Sequence, residues 1–237
     1  MTCTCSPLLT ESVAFTFSTI PDQEPQTEPG RSTGETYQAL MRDRRSIRRL
    51  APGPFPDRTR QRLLEAVSLT PAAFNLPPWH VVLVHERRDA LWSEVEAGFR
   101  EHLSGDRLER YLDRLAGFRA GVAVALVFAD QRVDRALREE KGVSEQTAIE
   151  FVQQALGMVQ LALWLGITAE GLASSLQHWD DLIGERMARF CGLAPNDFRL
   201  AATMPIGYAA EEPRLIERAA TAAVCTGSPN GTAPIRE

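Results

Sequence analysis

The stretch SEQTAIEFVQQALGMVQLALWL, residues 144–165, decides the fold because it predicts the longest helix of the chain. Apolar side chains recur on nearly every side of it, among them Ile149, Leu156 and Leu163. A helix that is apolar all round is a buried helix, so we expect this one in the middle of a domain. We expect Gly166, which follows directly, to end it.

The elements predicted around this helix include more helices than strands. Three apolar stretches rich in β-branched residues predict strands, at 80–85 (HVVLVH), at 122–128 and at 198–206. Helical spacing of apolar residues predicts helices from Gly34 to before Pro52, from Asp57 to before Pro71, around 91–99, at 106–118 and after Asp180 or Asp181. Both of the first two strands are continuously apolar, which predicts that they are buried. Because strands and helices do not alternate strictly, the order favours an α+β fold over a doubly wound sheet.

Composition excludes several classes of protein. The 237 residues are 44% hydrophobic and 24% charged, which is ordinary for a globular chain and not for a disordered one. The formal net charge of −5 argues against a nucleic-acid-binding protein, which is usually basic. The longest uninterrupted apolar run, Ala120–Ala129, is shorter than the ~20 residues of a spanning helix, so we expect no membrane segment.

The two ends of the chain are expected to lie outside the folded domain. Residues 1–33 contain four prolines and no sustained apolar period, which predicts a disordered extension. The first basic residue is Arg31, so no secretory signal is expected there, and four cysteines are too few for a disulfide scaffold. We therefore expect a cytoplasmic protein with one domain at 34–218 and a tail at 219–237.

Arginines cluster early in the predicted domain. Eight of them lie between Arg42 and Arg62, against only Asp43 and Asp57, although the whole chain is acidic. The cluster is either a solvated basic helix end or a seat for phosphate, for which the Ser46 hydroxyl adds a neutral donor. Nucleic acid is disfavoured because stacking aromatic residues are nearly absent from the stretch.

Two further segments have the composition of ligand sites. PAAFNLPPWH, residues 71–80, holds three prolines that stiffen it and Asn75, whose amide both donates and accepts hydrogen bonds. AEGLASSLQH, residues 169–178, contains Gly171, which permits close approach of a planar ligand. The alternative for the first segment is an ordinary tight connection, and for the second it is a plain turn into a strand. The four histidines show no metal-binding spacing, so no metal site is predicted.

Taken together, RRSIR (44–48), PAAFNLPPW (71–79), AEGLASSLQHW (169–179) and MPIGYAAEEP (204–213) resemble the nitroreductase-like family of FMN flavoproteins. GMVQLALWLGITAEGLASSLQHW (157–179) is similar to the branch that includes the fungal fatty-acid-repression-mutant nitroreductases and their bacterial relatives. The likeness runs from about Gly34 to Arg218. It implies a central mixed sheet packed by helices on both faces, in a homodimer.

The resemblance also implies which residues bind FMN, from both subunits of the dimer. Arg44, Arg45 and Ser46 would hold the phosphate and ribityl chain, and Arg48 would reach the ribityl or pyrimidine side. A second phosphate contact would be Arg214, with Arg218 in reserve. The flavin bound mainly by the other subunit would meet Pro71, Ala72, Ala73, Phe74 and Asn75. The backbone of Glu170 and Gly171, with Leu172 beside it, would face flavin N5, and Arg119 would lie near the pyrimidine oxygen, unless it is only a surface helix-end arginine.

The implied activity is a ping-pong reduction of nitroaromatics or quinones, with NAD(P)H as electron donor and no catalytic protein side chain. Two departures from the family pattern affect the acceptor: Ala72 stands where a serine is usual, and Pro77 where a glutamine is expected. Two alternatives stay open. The first is another flavin task, such as dehydrogenation or dehalogenation, and the second is a flavin-binding or regulatory protein without turnover.

Overall fold

The computed structural model describes residues 32–214, 216, 223–225 and 232–234. Most of the expected N-terminal extension and tail, together with Arg218, lie outside the described residues. The chain divides into two compact units, residues 1–37 and 38–237. In the described part of the first unit a helix begins with two reciprocal hydrogen bonds. The backbone N–H of Ser32 donates to the Glu35 carboxylate, and the backbone N–H of Glu35 donates to the Ser32 hydroxyl oxygen.

Seven helices and seven strands follow one another along the described residues. The helices are α1 (Thr33–Asp43), α2 (Asp57–Ser68), α3 (Arg88–His102), α4 (Gly105–Arg119), α5 (Gln131–Glu139), α6 (Glu145–Ala169) and α7 (Asp180–Phe190). The strands are β1 (Leu50–Ala51), β2 (Trp79–Val84), β3 (Ala123–Asp130), β4 (Ala173–Ser174), β5 (Phe198–Ala209), β6 (Ala223–Cys225) and β7 (Thr232–Pro234). The last two strands pair with each other, antiparallel, in a separate two-stranded sheet.

The main sheet has the strand order β1-β5-β3-β2, and β4 also pairs with β5. Each of these strand pairs is antiparallel. A parallel contact is added by the bridge between Ser46 and Ser174. The short strands β1 and β4 therefore bring the segments around residues 46 and 174 to the same long strand, β5.

Strand β3 shows why helices pack on both faces of this sheet. Successive side chains of a strand point to opposite faces. Val124 and Phe128 belong to a core cluster shared with α3, α4 and α7, whereas Ala125 and Val127 belong to a second cluster shared with α2 and α6. The expected α+β fold, with helices on both faces of the sheet, is confirmed.

Strand β2 differs from the expectation that it is buried. It pairs only with β3 among the described strands, so it lies at an edge of the sheet. Its side chains are mostly half-buried, with Val84 alone fully buried and His80 exposed. A continuous apolar run does not distinguish a central strand from an edge strand whose two faces are both covered by helices.

Helix α6 begins as expected and ends later. Ser144 caps it by accepting a hydrogen bond from the backbone N–H of Thr147, 3.2 Å away. Gly166 does not end it: this glycine lies inside the helix, where it faces Leu63 of α2. The helix continues to Ala169, and Gly171 then takes the left-handed conformation, with φ of 70°.

One side of α6 is not covered within the single chain. Ile149, Met158 and Leu161 are 44%, 41% and 38% exposed, although Leu156 and Leu163 on the other side are buried. The expectation that this helix is buried all round is therefore wrong for the single chain. By length and composition α6 could cross a membrane, but this is weak evidence because the core helix of a soluble protein passes the same test.

Candidate functional site

Two of the three predicted ligand segments meet beside β4, the short strand that pairs with β5. The backbone N–H of Ile47 donates to the carbonyl oxygen of Ser174 at 3.0 Å, beside the parallel bridge between Ser46 and Ser174. Ala173 in turn pairs with Gly207 of β5. Three segments are therefore neighbours: RRSIR, the turn after α6, and the part of β5 that belongs to MPIGYAAEEP. A ligand site shared by these segments requires such an arrangement.

The turn after α6 is held by the carboxylate of Glu170. This carboxylate accepts a hydrogen bond from the Thr59 hydroxyl at 2.7 Å and from the Arg62 guanidinium at 2.9 Å, both on α2. These bonds, from Thr59 first and then Arg62, hold the pKa of Glu170 below its ordinary value of 4.5 although partial burial acts in the other direction. The side chain is therefore a charged anchor between two helices, directed toward α2.

The backbone of the same turn leaves space beside Gly171. A Cβ added at Gly171 would meet no atom within 4 Å, whereas Leu172 next to it is buried. The N–H groups of Glu170, Gly171 and Leu172 already donate to carbonyls of the last turn of α6. What this turn offers to a planar ligand is consequently an open backbone surface without a side chain.

The predicted phosphate contacts Arg44 and Arg45 follow directly after α1. The Arg44 guanidinium carbon lies 4.3 Å from the centroid of the Trp164 ring on α6, which is a cation–π contact. Arg45 is half-buried and makes no ion pair with any residue that the structure describes. Arg44 thus lies on the side of the sheet covered by α6.

Arg48 and Arg214 lie apart from Arg44, on a cavity of about 530 Å³ against α4. We name it the α4 cavity. Its lining residues are all charged, and they are Arg48, Arg49, Glu109, Arg110, Asp113, Arg114, Glu211 and Arg214. Since α4 and α6 pack on opposite faces of the sheet, the predicted cofactor arginines form two groups rather than one.

Arg119 uses its charge elsewhere. It forms a short ion pair with Glu96 of α3, whose pKa is lowered by the hydrogen bond from Arg100 and by the Arg119 charge. This pair ties the end of α4 to α3. The contact is the one expected of a structural helix-end arginine, and a role beside a flavin would require Arg119 to leave Glu96.

The third segment does not join the other two within one chain. Ala73–Asn75 forms a single helical turn in which Phe74 and Asn75 have left-handed φ angles of 56° and 55°. The Phe74 side chain is 57% exposed, and its ring lies 6.3 Å from that of Phe151 near the start of α6. At 1.5 Å per residue, Phe151 is about 28 Å along the helix axis from Glu170.

The comparisons with known proteins bear on the family and the fold. The model of the Nitroreductase family matches residues 41–208. The chain belongs to the nitroreductase family. A Thermus thermophilus relative named NADH dehydrogenase is 27% identical to this chain over 182 residues, which cover 71% of the chain and 84% of the relative.

Solved structures of nitroreductases share the fold. Nitroreductase CinD from Lactococcus lactis, in complexes with chloramphenicol and with 4-nitrophenol, has a TM-score of 0.68 and 23% identity, covering 77% of this chain and 94% of CinD. FMN-dependent nitroreductase NfnB from Mycobacterium smegmatis, in complex with NADPH, has a TM-score of 0.58 and 19% identity, covering 76% of this chain and 90% of NfnB.

Sequence reasoning missed several residues around the candidate site. Thr59 and Arg62 were not connected with Glu170, because they lie more than a hundred positions away along the chain. Trp164 lies within the apolar run of α6, and nothing in the sequence signals its cation–π contact with the Arg44 guanidinium. Arg62 alone carried a signal, since it belongs to the arginine cluster.

Proposed function

We propose that this nitroreductase-family chain is a cytoplasmic FMN-dependent NAD(P)H oxidoreductase that reduces nitroaromatics or quinones in a ping-pong cycle. The observation that carries the proposal is the junction of Ile47 with Ser174, which unites the arginine–serine segment with the turn after α6. In a chain of this family, that junction is where a flavin would be held by its phosphate at one end and its ring at the other.

The residues at this junction fit FMN. Arg44, Arg45 and Ser46 offer two guanidinium groups and a hydroxyl to a phosphate and ribityl chain. The open backbone at Gly171 offers a surface on which a flat ring can lie without meeting a side chain. When bound, FMN supplies the acceptance and donation of hydride, and the protein supplies position and charge.

A homodimer is supported by the distance between the segments. Because the loop at Phe74 contacts the start of α6 and Glu170 lies at its end, Asn75 and Gly171 of one chain are too far apart to contact one flavin. A partner subunit can bring its own loop to the site. The exposed apolar side of α6, with Met158 and Leu161, is the surface that such a partner would cover.

Arg48 would reach the ribityl or pyrimidine side of the flavin, and Arg214 would make a second contact with its phosphate; both residues line the α4 cavity. Arg119 can serve the flavin only by exchanging its partner Glu96 for the pyrimidine oxygen.

We also propose that the chain belongs to the branch that includes the fatty-acid-repression-mutant nitroreductases. This assignment rests on the 157–179 segment alone.

We further propose a preference among acceptors. Ala72 and Pro77 offer fewer hydrogen bonds than the serine and glutamine usual in the family, and Phe74 is exposed beside them. The kcat/KM for flat acceptors with an apolar body, such as quinones and polycyclic nitroaromatics, should therefore be higher than that for small polar nitro compounds. We expect a difference of several-fold to roughly a hundredfold.

The test is the colour of the purified full-length protein and its response to reductant. We expect a yellow protein that NADH or NADPH bleaches without oxygen and that menadione or 4-nitrophenol then recolours. Bleaching without reoxidation by either acceptor would point to another flavin task, such as dehydrogenation or dehalogenation. Colour without bleaching would point to a binding protein without turnover. A colourless protein that takes up no added FMN would refute the proposal.

A further inference from the structure

The Arg44 guanidinium lies over the ring of Trp164, at the place where the proposed flavin seat begins. Its central carbon is 4.3 Å from the ring centroid. Trp164 is 8% exposed and belongs to the core cluster shared with α2, so its ring is held in place by packing. Arg44 itself is half-buried. A cation–π contact is stronger where water is partly excluded, as it is here.

The side chain of Arg44 is thereby held at both of its ends. The backbone N–H of Arg44 donates to the carbonyl oxygen of Leu40 in the last turn of α1, 2.9 Å away, and the guanidinium lies against a ring of α6. An arginine without such support has many rotamers, and a ligand that fixes one of them loses part of its binding free energy to that ordering. The contact with Trp164 reduces this loss, because the guanidinium is ordered before a ligand arrives.

An aromatic ring differs from a carboxylate as a support for an arginine. Arg49 is paired with Asp113, and Arg62 is paired with Glu170, so acidic side chains offset the charges of these two guanidinium groups. The indole ring of Trp164 carries no net charge and offsets none. A ring attracts the cation through its π face, whereas phosphate is bound by N–H groups in the guanidinium plane. Contact with the ring is therefore compatible with contact to a phosphate.

The position of Trp164 on α6 also relates the two ends of the proposed flavin seat. Trp164 precedes Glu170 by six residues, which corresponds to about 9 Å along a helix axis. The open backbone at Gly171 follows directly. One helix thus carries both the support for Arg44 and the turn on which the flavin ring would lie.

We propose that Trp164 is a positioning residue for the FMN phosphate: it holds the Arg44 guanidinium in place for the phosphate and so makes the chain favour FMN over riboflavin. The tryptophan acts through Arg44. The inference rests on the proposed function, because it takes FMN as the cofactor and Arg44 as a phosphate contact.

The experiment compares the affinities of the full-length apoprotein for FMN and for riboflavin, which differ in the phosphate, by fluorescence titration. We expect Trp164→Leu to lower the ratio of the FMN affinity to the riboflavin affinity about three- to tenfold, because one partly buried cation–π contact is lost. Trp164→Phe keeps an aromatic face and should retain most of the ratio. If Trp164→Leu does not fold, Trp164→Met takes its place, since an unbranched thioether fills an irregular site without a ring.

A double-mutant cycle tests whether Trp164 acts through Arg44. Trp164→Leu is also made in the Arg44→Ala background, where the guanidinium is absent, and there it should leave the affinity ratio unchanged. An equal drop of the ratio in both backgrounds would overturn the proposal, because the tryptophan would then affect FMN by another route.

The matched control is Trp92→Leu. Trp92 is 1% exposed, and it stacks on Phe118 on the face of the sheet opposite to α6. The change removes a buried indole away from the seat, so the affinity ratio should stay at its wild-type value even if both affinities fall. Urea denaturation of each variant measures the accompanying loss of stability.

Two results would show that Trp164 serves the fold alone and would overturn the proposal. They are equal losses of FMN and riboflavin affinity in Trp164→Leu, and affinities that do not change at all. In either case a wild-type chain that binds FMN leaves the proposed function standing. A wild-type chain that binds neither flavin would refute the proposed function and this inference with it.

Discussion

At the scale of single residues, the Glu170 carboxylate joins the end of α6 to α2. It accepts hydrogen bonds from Thr59 and Arg62, and those bonds lower its pKa. We predict that Glu170→Gln lowers the free energy of unfolding by about 1–3 kcal/mol at pH 7, because the charged acceptor is lost. Urea denaturation measures the change.

The pH dependence of this loss has a definite sign. Because the folded state holds the pKa of Glu170 below 4.5, the ionised carboxylate stabilises the fold above that pH and loses its effect as the pH falls through the folded value. The difference between wild type and Glu170→Gln should therefore shrink in acid. Glu65→Gln, an exposed change on α2, should cost little at any pH. A difference independent of pH would mean that packing, and not charge, is what Glu170 contributes.

Arg44 is the residue through which the proposed phosphate seat is tested. We predict that Arg44→Ala weakens FMN binding by about 1.5–3 kcal/mol, roughly tenfold or more, because a charge-assisted bond to phosphate is lost. Riboflavin, which has no phosphate, should be affected much less. Fluorescence titration of the apoprotein with both flavins gives the two affinities. Equal losses would show that Arg44 acts through its contact with Trp164 and the fold.

At the scale of elements, the exposed side of α6 is where we expect the partner subunit. We predict that Leu161→Glu converts the protein to a monomer and weakens FMN binding, because it places a charge in an apolar interface. Light scattering measures the mass in solution. Leu64→Glu on α2 is the matched control, since both leucines are 38% exposed. A Leu161→Glu protein that stays dimeric would contradict this assignment of the interface.

Most elements were predictable from the sequence because apolar spacing decided them. Helices α2, α3, α4 and α7 lie where their periodic leucines, valines and aromatics placed them. Helix α5 was missed because QRVDRALRE has few apolar residues, with Leu137 alone buried. The end of α6 was misplaced because a glycine inside a helix, Gly166, looks the same in sequence as one that ends it, Gly171.

The site was predictable only in part, for a similar reason. The segments at 44–48, 71–75 and 169–172 stood out by their arginines, prolines and glycine, and family likeness implied their roles; the structure joins the first and third of them. The anchoring of Glu170 by α2 and the division of the arginines between α6 and α4 depend on contacts between distant positions. Such contacts leave no local pattern in a single sequence.

At the scale of the whole molecule, the separation of the loop from the rest of the site predicts that subunits complement one another. The changes Asn75→Ala in the loop and Arg45→Ala with Ser46→Ala in the seat should each impair both sites of a homodimer. A heterodimer of the two variants has one intact site, so random mixing should restore about a quarter of wild-type activity. Coexpression with two different tags, followed by an activity assay, measures it. No recovery on mixing would mean that each chain builds its site alone.

The free edge of β2 has a consequence for handling the protein. Backbone N–H and C=O groups along Trp79–Val84 that do not face β3 have no strand beside them in the described part of the chain. An apolar edge of this kind is a template for pairing with another molecule. Concentrated or heated stocks should therefore lose material through chain-to-chain aggregation before the core unfolds. The single change His80→Lys, at an exposed position of this strand, should reduce such aggregation.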